Sequence, residues 1–527
     1  MSVTKYYLLN TLLLCGLTLS ACAAEEESPV NDDPSLDTDA GDDPFFTASP
    51  DASVDDPSDD LNDTADCDPN ADDPLDADGF DDNCDGSDGI AANQLYVAPA
   101  PAGSNSNNGS LNAPFASIAG ALESLGGASG GNIDAILVAA GSYVEKDMLQ
   151  LPKDLKNRKL ILVGGYLPQA DWSRGTDRSV LSGANRVILL NQLSGTSRIE
   201  GFDIHAASAT KTSDSSIAVM AEGKGALQIV NSTIKAGKGQ VGTAGKNGKN
   251  GNNGVAGKPG WAQENKDTGA TPSVRSSCGT VFSLLTRSGY GGYNNGNGGN
   301  STLGAAGGKA SGNYADRLGA SGRIGSNGKD GAAGLKLGTF SESKYAPALA
   351  GSGSNGTIGA GGGGGAAAYK VVSPIKRYYM SGGSGGSGGC EGFGGSGGYG
   401  GGASIGILAS GITLDLQNSE VTSSNGGAGG DGGAKGVGGS GGVGAYGGQA
   451  YYVLGGKGGD GGRGGSGGAG GGGMGGSSFG IALRSGAKLQ QSQSTITPNA
   501  GGKGGVGGSK GSNTGANGLS SAIYEIN

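Results

Sequence analysis

Ten aspartates crowd residues 66–89, with Cys67, Asn70, Asn83 and Cys84 among them. Asp66, Asp68, Asp76, Asp78, Asp81 and Asp85 are spaced closely, and Gly79 and Gly86 can turn the chain between them. The chemistry open to such a set is hard-cation binding. Ca2+ takes about six to eight oxygen ligands, and spaced carboxylates on tight turns can wrap one ion. Carboxylates this close also repel unless a cation or protons intervene. The motif is no EF-hand, because Gly79 comes too early and no glutamate closes it. The alternative is a solvated acidic linker, stapled once by Cys67 and Cys84.

Little else offers catalysis. From Ile199 to His205 the alternation turns Phe202 and Ile204 inward, leaving Asp203 and His205 outward as an acid/base pair in principle. His205 is the chain's single histidine, and Asp415 and Lys488 share no register with it. Solvated surface residues are the competing reading. Gly426-Gly-Ala-Gly-Gly-Asp431 and Gly455-Gly-Lys-Gly-Gly-Asp460 match the opening of a calcium-binding nonapeptide. Gly433 and Gly462 stand where its aliphatic residue belongs, so both are read as chance matches. No zinc cluster, nucleophile elbow or phosphate loop stands out, and no catalytic residue is assigned. Lys and Arg are dispersed without interleaved aromatics, which argues against a nucleic-acid partner.

The element that must position these residues is a repeat. Ser216-Ile-Ala-Val219 with Leu227, Ile229 and Ile234 returns as Ser404-Ile-Gly-Ile407 with Leu414, Leu416 and Val421. It returns again as Ser478-Phe-Gly-Ile481 with Leu489 and Ile496, and Ser521-Ala-Ile-Tyr524 begins a fourth copy. A repeat that stops and resumes in phase implies a stacked solenoid with expanded loops. Upstream, Ala135–Val138, Leu160–Val163, Val180-Leu181, Val187–Leu190 and Ile199–Ile204 read as short strands without helices between them. Pro114 opens a helix through Leu125, stopped by Gly126-Gly127, that could cap the coil. The fold expected is all-β, a parallel β-helix with an N-terminal capping helix and long glycine-rich insertions.

Glycine holds every third position from Gly239 to Gly260, Gly319 to Gly334, Gly383 to Gly401 and Gly455 to Gly476. A period of three is that of polyproline II. Collagen needs abundant proline, and Pro259 is the only one in these tracts. A flexible, disordered coil and a bundle of packed polyglycine-type helices both remain open. In either case the tracts read as insertions into a coil that is continuous without them.

Leu95-Tyr-Val97, Asn112–Ile118, Ile136–Glu145, Val163-Gly-Gly-Tyr166 and Asp171-Trp172 carry a family resemblance. They are similar to surface lipoproteins of myxobacteria and their relatives, which hold a domain of the DUF1565 type and often PGRS-like glycine expansions. The resemblance covers roughly 66–240 well and the later rungs loosely, and implies a right-handed β-helix of the pectin-lyase kind, a surface location and no assigned activity. The acidic motif resembles the Asp-rich metal-binding motif of the same proteins.

At the N-terminus, Lys5 and the apolar run Tyr6–Thr18 form a signal peptide, too short to span a bilayer as a mature helix. Leu19-Ser-Ala-Cys22 resembles a lipobox, which implies lipidation at Cys22 and an outer-membrane address. Residues 23–90 carry 25 acidic and no basic side chains, while 91–527 carry a net +13. Export permits disulfides, and Cys67–Cys84 and Cys278–Cys390 are the favoured pairs.

The organisation expected is a signal peptide over 1–21, an acidic tether over 22–65 and the metal motif over 66–90. Coil follows at 91–237, 403–424, 477–499 and 520–527, with glycine-rich insertions at 238–402, 425–476 and 500–519. The function expected is a non-catalytic surface adhesin or binder of polysaccharide or extracellular matrix, with Ca2+ and no organic cofactor. A β-helix polysaccharide lyase or hydrolase is the alternative, and a purely structural coat a second one.

Overall fold

The computed structural model describes residues 68–76, 81–126, 133–152, 159–278, 285–341, 344–509 and 511–526. Cys22, the signal peptide and the tether lie outside them. The described residues belong to one compact unit, Asp66–Asn527.

Three sheets carry the body, and the strands along each are paired in parallel. The chain visits them in fixed rotation. Ala135–Ala139 lies in the first sheet, Gly141–Glu145 in the second, Leu149–Gln150 in the third, and Ile161–Leu167 is back in the first. The same circuit repeats down to Lys488–Ser492, Thr495–Thr497 and Ser520–Ile526. The repeat read from sequence is the register of this stack. Leu227 pairs with Leu414 and Leu414 with Leu489, while Ile234 pairs with Val421 and Val421 with Ile496. The fourth copy is shifted by one residue from the sequence reading. Ser520, not Ser521, pairs with Ser478, and this sets Ile523 on Ile481. Tyr524 holds this register by stacking on Phe479, ring centroids 4.4 Å apart, and a one-residue slip would turn it to the other face.

Inside, Ile136, Leu162, Ile199, Leu227, Ile229, Leu414 and Leu416 are buried with Phe202, Ile204, Ile407 and Ile481 in one core. Each such side chain contributes roughly 1.5–3 kcal/mol by leaving water. The capping helix is Ile118–Leu125, starting later than Pro114. Phe115 is drawn instead into a bridge with Val97. Ser117 Oγ accepts from Gly120 N, and buried Glu145 Oε1 accepts from Ile118 N and Ala119 N. Both satisfy first-turn amides, and the carboxylate also meets the positive end of the helix.

Each glycine-rich excursion leaves after a strand of the second sheet and returns into the third. That placement dictates the composition. Neighbouring strands lie about 4.7–4.9 Å apart, so extended loops leaving adjacent layers run side by side at backbone contact distance. Gly242, Gly245 and Gly248 donate to the carbonyls of Ala428, Asp431 and Ala434, two chains running the same way. Gly383, Gly386 and Gly389 of the returning tract donate to Gly456, Gly459 and Gly462. Outgoing and returning tracts oppose each other, as Ser384 N donates to Lys258 O and Ser387 N to Val255 O. The hydrogen bonds advance by three residues, the polyproline II period. The tracts are thus a bonded bundle.

The tract glycines do not occupy the left-handed region. What they supply is a missing Cβ. One added at Gly386 would lie 1.9 Å from Gly442 O, and one at Gly389 2.0 Å from Gly439 O. Tracts with one glycine per triplet, such as 239–260, are edge chains with outward polar residues, whereas 381–392, with two per triplet, is buried throughout. Side chains close the remaining amides. Asn247, Asn250 and Asn253 Oδ1 accept from Ala434, Val437 and Ser440 N.

The insertions are also more than loops on a complete coil. Tyr345, from the 238–402 excursion, packs with Ile217, Met220, Ile405, Leu408 and Phe479 on the outer face of the third sheet. The coil itself is continuous across the excursions, as Ser216 pairs with Ser404 and Ser404 with Ser478, and the excursion adds a cover to its outer face. Cys278 and Cys390 are joined across the same excursion, with Cα atoms 5.4 Å apart.

Candidate metal centre

The acidic motif is fastened to the first sheet. Leu75 and Leu111 pack on Tyr96, Leu137, Val163, Tyr166 and Trp172, the outer face of the first strands. Arg174 Nη1 donates to Asp76 O at 3.3 Å and Arg198 Nη1 to Leu75 O at 3.1 Å. Asp88 is buried beneath them. Its Oδ2 accepts from Tyr166 Oη at 3.1 Å, Oδ1 accepts from Asp76 N at 3.4 Å, and its carbonyl accepts from Gln94 Nε2 at 2.7 Å. Burial pushes the Asp88 carboxyl up to about 6, against the pull of Tyr166, the Asp76 amide and Arg174. Gly89 turns this segment at φ +85°, where a Cβ would lie 2.4 Å from Gln94 Nε2.

On this frame Asp73, Asp81 and Asp85 converge, with one ligand oxygen from each within 4.8 Å of the others. Asp81 Oδ1 accepts from Asp85 N at 3.0 Å and Oδ2 from Gly86 N at 2.8 Å. Asp85 Oδ2 accepts from Ala91 N at 2.7 Å. Asp73 is 6 % exposed, and neither of its carboxylate oxygens closes a hydrogen bond among the described residues. Desolvation raises its pKa, as do the Asp81 and Asp82 charges, while the nearby Gly89 and Asp82 amides only lower it in part. A carboxylate this buried is costly to charge, and two further carboxylates stand beside it. Oxygen-only donors suit a hard cation such as Ca2+.

No family model, curated protein or solved structure matches the chain. The site therefore rests on its own geometry.

Of the six ligands read from sequence, only Asp81 and Asp85 enter this group. Asp66 and Asp78 lie outside the described residues, as does Cys67, while Cys84 is disulfide-bonded. Asp68 turns back to accept from Asn70 N at 2.9 Å. Asp76 is not in the group, and its backbone is held by Asp88 and Arg174. Asp73 was missed because alternation was read as the ligand rule. The signal for it was Leu75, two residues on, which packs against the first sheet and draws this segment inward.

Elsewhere, charges mostly close on one another. Arg178 Nη1 meets Asp203 Oδ1 at 3.2 Å and Thr233 Oγ1 at 2.7 Å, so Asp203 does not serve the exposed His205. Asp415 Oδ2 accepts from Gln417 and pairs in register with Gln490, not Lys488. Asp431 and Asp460 accept from Val506 N and Gly444 N within the bundle. Glu200 is fully buried between Arg174 and Arg198. Arg174, Asp177, Arg178, Glu200 and Asn231 line a cleft of about 390 Å3.

Proposed function

We propose that the chain is a non-catalytic surface lipoprotein, lipidated at Cys22 in the outer membrane, that binds polysaccharide or extracellular matrix. In this reading the rotating sheets are a right-handed parallel β-helix, and the acidic motif is a Ca2+-binding collar. The observation that carries the binding role is the edge tract 239–260. It presents exposed Thr243, Lys246, Lys249, Asn252 and Lys258 at multiples of three residues, on a hydrogen-bonded support. A regular row of polar and cationic groups suits a repeating polymer. A glycan array on the full chain tests this, and retention of no polymer refutes it.

Ca2+ binding is supported by the orphaned Asp73 beside Asp81 and Asp85. Calorimetry should show Ca2+-dependent heat that Asp73→Asn abolishes. At a hundredfold excess over Kd, the ion would add about 2.7 kcal/mol of stability. Equal heats for the two chains would remove the collar reading.

The cleft with Arg174, Asp177, Arg178 and Glu200 favours a second reading, a polysaccharide lyase or hydrolase. A reducing-sugar assay on any retained glycan separates the two. Product release that Arg178→Ala abolishes would make the chain an enzyme.

A further inference from the structure

We propose that a pocket at Glu391, opening at the edge of the glycine bundle, binds one neutral sugar residue. This deepens, and rests on, the polymer-binding role proposed above.

One residue of the returning tract is out of place. In the returning tract, Gly382, Gly385, Gly388, Gly394, Gly397 and Gly400 occupy one row of triplet positions, and Glu391 alone replaces glycine there. At Gly388 and Gly394 a Cβ would lie 1.8 Å from Gly359 O and 2.0 Å from Gly353 O. The row is thus built for hydrogen atoms, and the bundle must open to admit a glutamate. Its side chain gains nothing locally. Glu391 is 8 % exposed, and its Oε2 has no hydrogen-bond partner among the described residues. A residue that breaks the local rule without a compensating contact marks a functional site.

Beside it lies a cavity of about 200 Å3, lined also by Asn250, Asn252, Ser277, Phe393 and the Cys278–Cys390 disulfide. That is below the roughly 300 Å3 at which drug-sized sites begin, the scale of a single ring. Its polar groups are of both kinds. Asn250 Oδ1 is taken by Val437 N, which leaves its amide hydrogens as donors. Asn252 Nδ2 is taken by Ser277 O, which leaves its Oδ1 as an acceptor, as is Glu391 Oε2 of the same lining. Phe393 is 43 % exposed and forms an apolar wall. A metal ion or an ammonium would use the acceptors alone. Sugar hydroxyls both donate and accept, and the C–H face of a pyranose suits the ring.

The test uses the full chain and saturation-transfer NMR with the methyl glycosides of glucose, galactose, mannose and N-acetylglucosamine. At least one should bind. Glu391→Gly, which restores the glycine row, should weaken it at least tenfold while leaving the melting temperature unchanged or higher. Glu391→Gln, which keeps one acceptor, should fall between. The proposal is overturned if no glycoside binds, if Glu391→Gly binds as the wild type does, or if tetramethylammonium or Ca2+ displaces the sugar. Should Glu391→Gly retain polymer on the array as tightly as wild type, the pocket fails and the polymer-binding role stands. If a glycoside binds through Glu391 but no polymer is retained, the pocket stands and that role fails.

Discussion

The coil and the glycine bundle are both stacks of extended chain at strand spacing, yet they are held by opposite means. In the coil the backbone ladder is backed by side chains, with Leu227, Leu414 and Leu489 one above another. In the bundle it is backed by their absence, since a Cβ at Gly386 or Gly389 would collide with the next chain's carbonyl. The coil draws on burial of apolar area. The bundle draws on amides paired in several directions about each chain, as at Gly382, Gly383 and Ser384, which donate to Gly292, Gly456 and Lys258. Ordering glycine is entropically expensive, so a bundle of this kind needs a scaffold that sets its spacing. The coil supplies it by launching each tract from the same corner.

Removing the bundle has the largest expected effect. Replacing 238–402 with a short Gly-Ser loop would uncover Ile217, Met220, Ile405, Leu408 and Phe479, all now buried under the excursion or against it. The shortened chain should lose its cooperative thermal transition and bind a hydrophobic dye. A sharp transition near the wild-type temperature would make the coil self-sufficient. Next in size is Gly386→Val in the bundle interior, expected to cost on the order of 4 kcal/mol or more by overpacking against backbone. Lys249→Ala, on an exposed triplet position, should stay within about 0.5 kcal/mol. In the coil the sensitivity is reversed. There Leu416→Ala, at a fully buried position, should cost about 2–5 kcal/mol through the cavity it leaves. Urea unfolding of the three variants measures all of these. Equal tolerance of Gly386→Val and Lys249→Ala would mean the tracts are not packed as described.

What was legible in the sequence follows this division. The in-phase return of Leu227 and Ile229 as Leu414 and Leu416 could be read because inward packing demands the same residue type at each layer. The three-residue glycine period could be read too, but period alone cannot separate a bundle from a coil. The separating fact is spatial, since all the tracts leave one corner at strand spacing. The cover over the third sheet did leave a mark. Ile217–Ala221 and Ile405–Ala409 are apolar almost without alternation, which signals a strand buried on both faces. At the acidic site, types were legible and grouping was not. Ten aspartates in one short segment look equivalent, and only the packing of Leu75 on the first sheet and the anchoring of Asp88 by Tyr166 select Asp73, Asp81 and Asp85.

A further effect separates the acidic collar from the bundle by pH. Asp88 titrates at about 6 in the fold because burial disfavours its charge. The unfolded chain returns it to about 3.9. Between these values the native state holds a proton that the unfolded state has released, so stability falls as pH rises through the window. The contribution is full below about pH 4 and gone above about pH 6, with an upper limit near 3 kcal/mol. Asp88→Asn, neutral throughout, should lack this slope. Urea midpoints taken with chelator present at steps from about pH 4 to pH 8 would show it as a difference between the two chains. Amide exchange locates the effect. Protection around Tyr166 and Arg174 should drop with rising pH, because both reach toward the Asp88 segment. Protection across 425–443 should stay level, since its amides pair with backbone carbonyls and neutral asparagine side chains. If the wild type and Asp88→Asn run parallel across the window, Asp88 is not the group that couples the collar to pH.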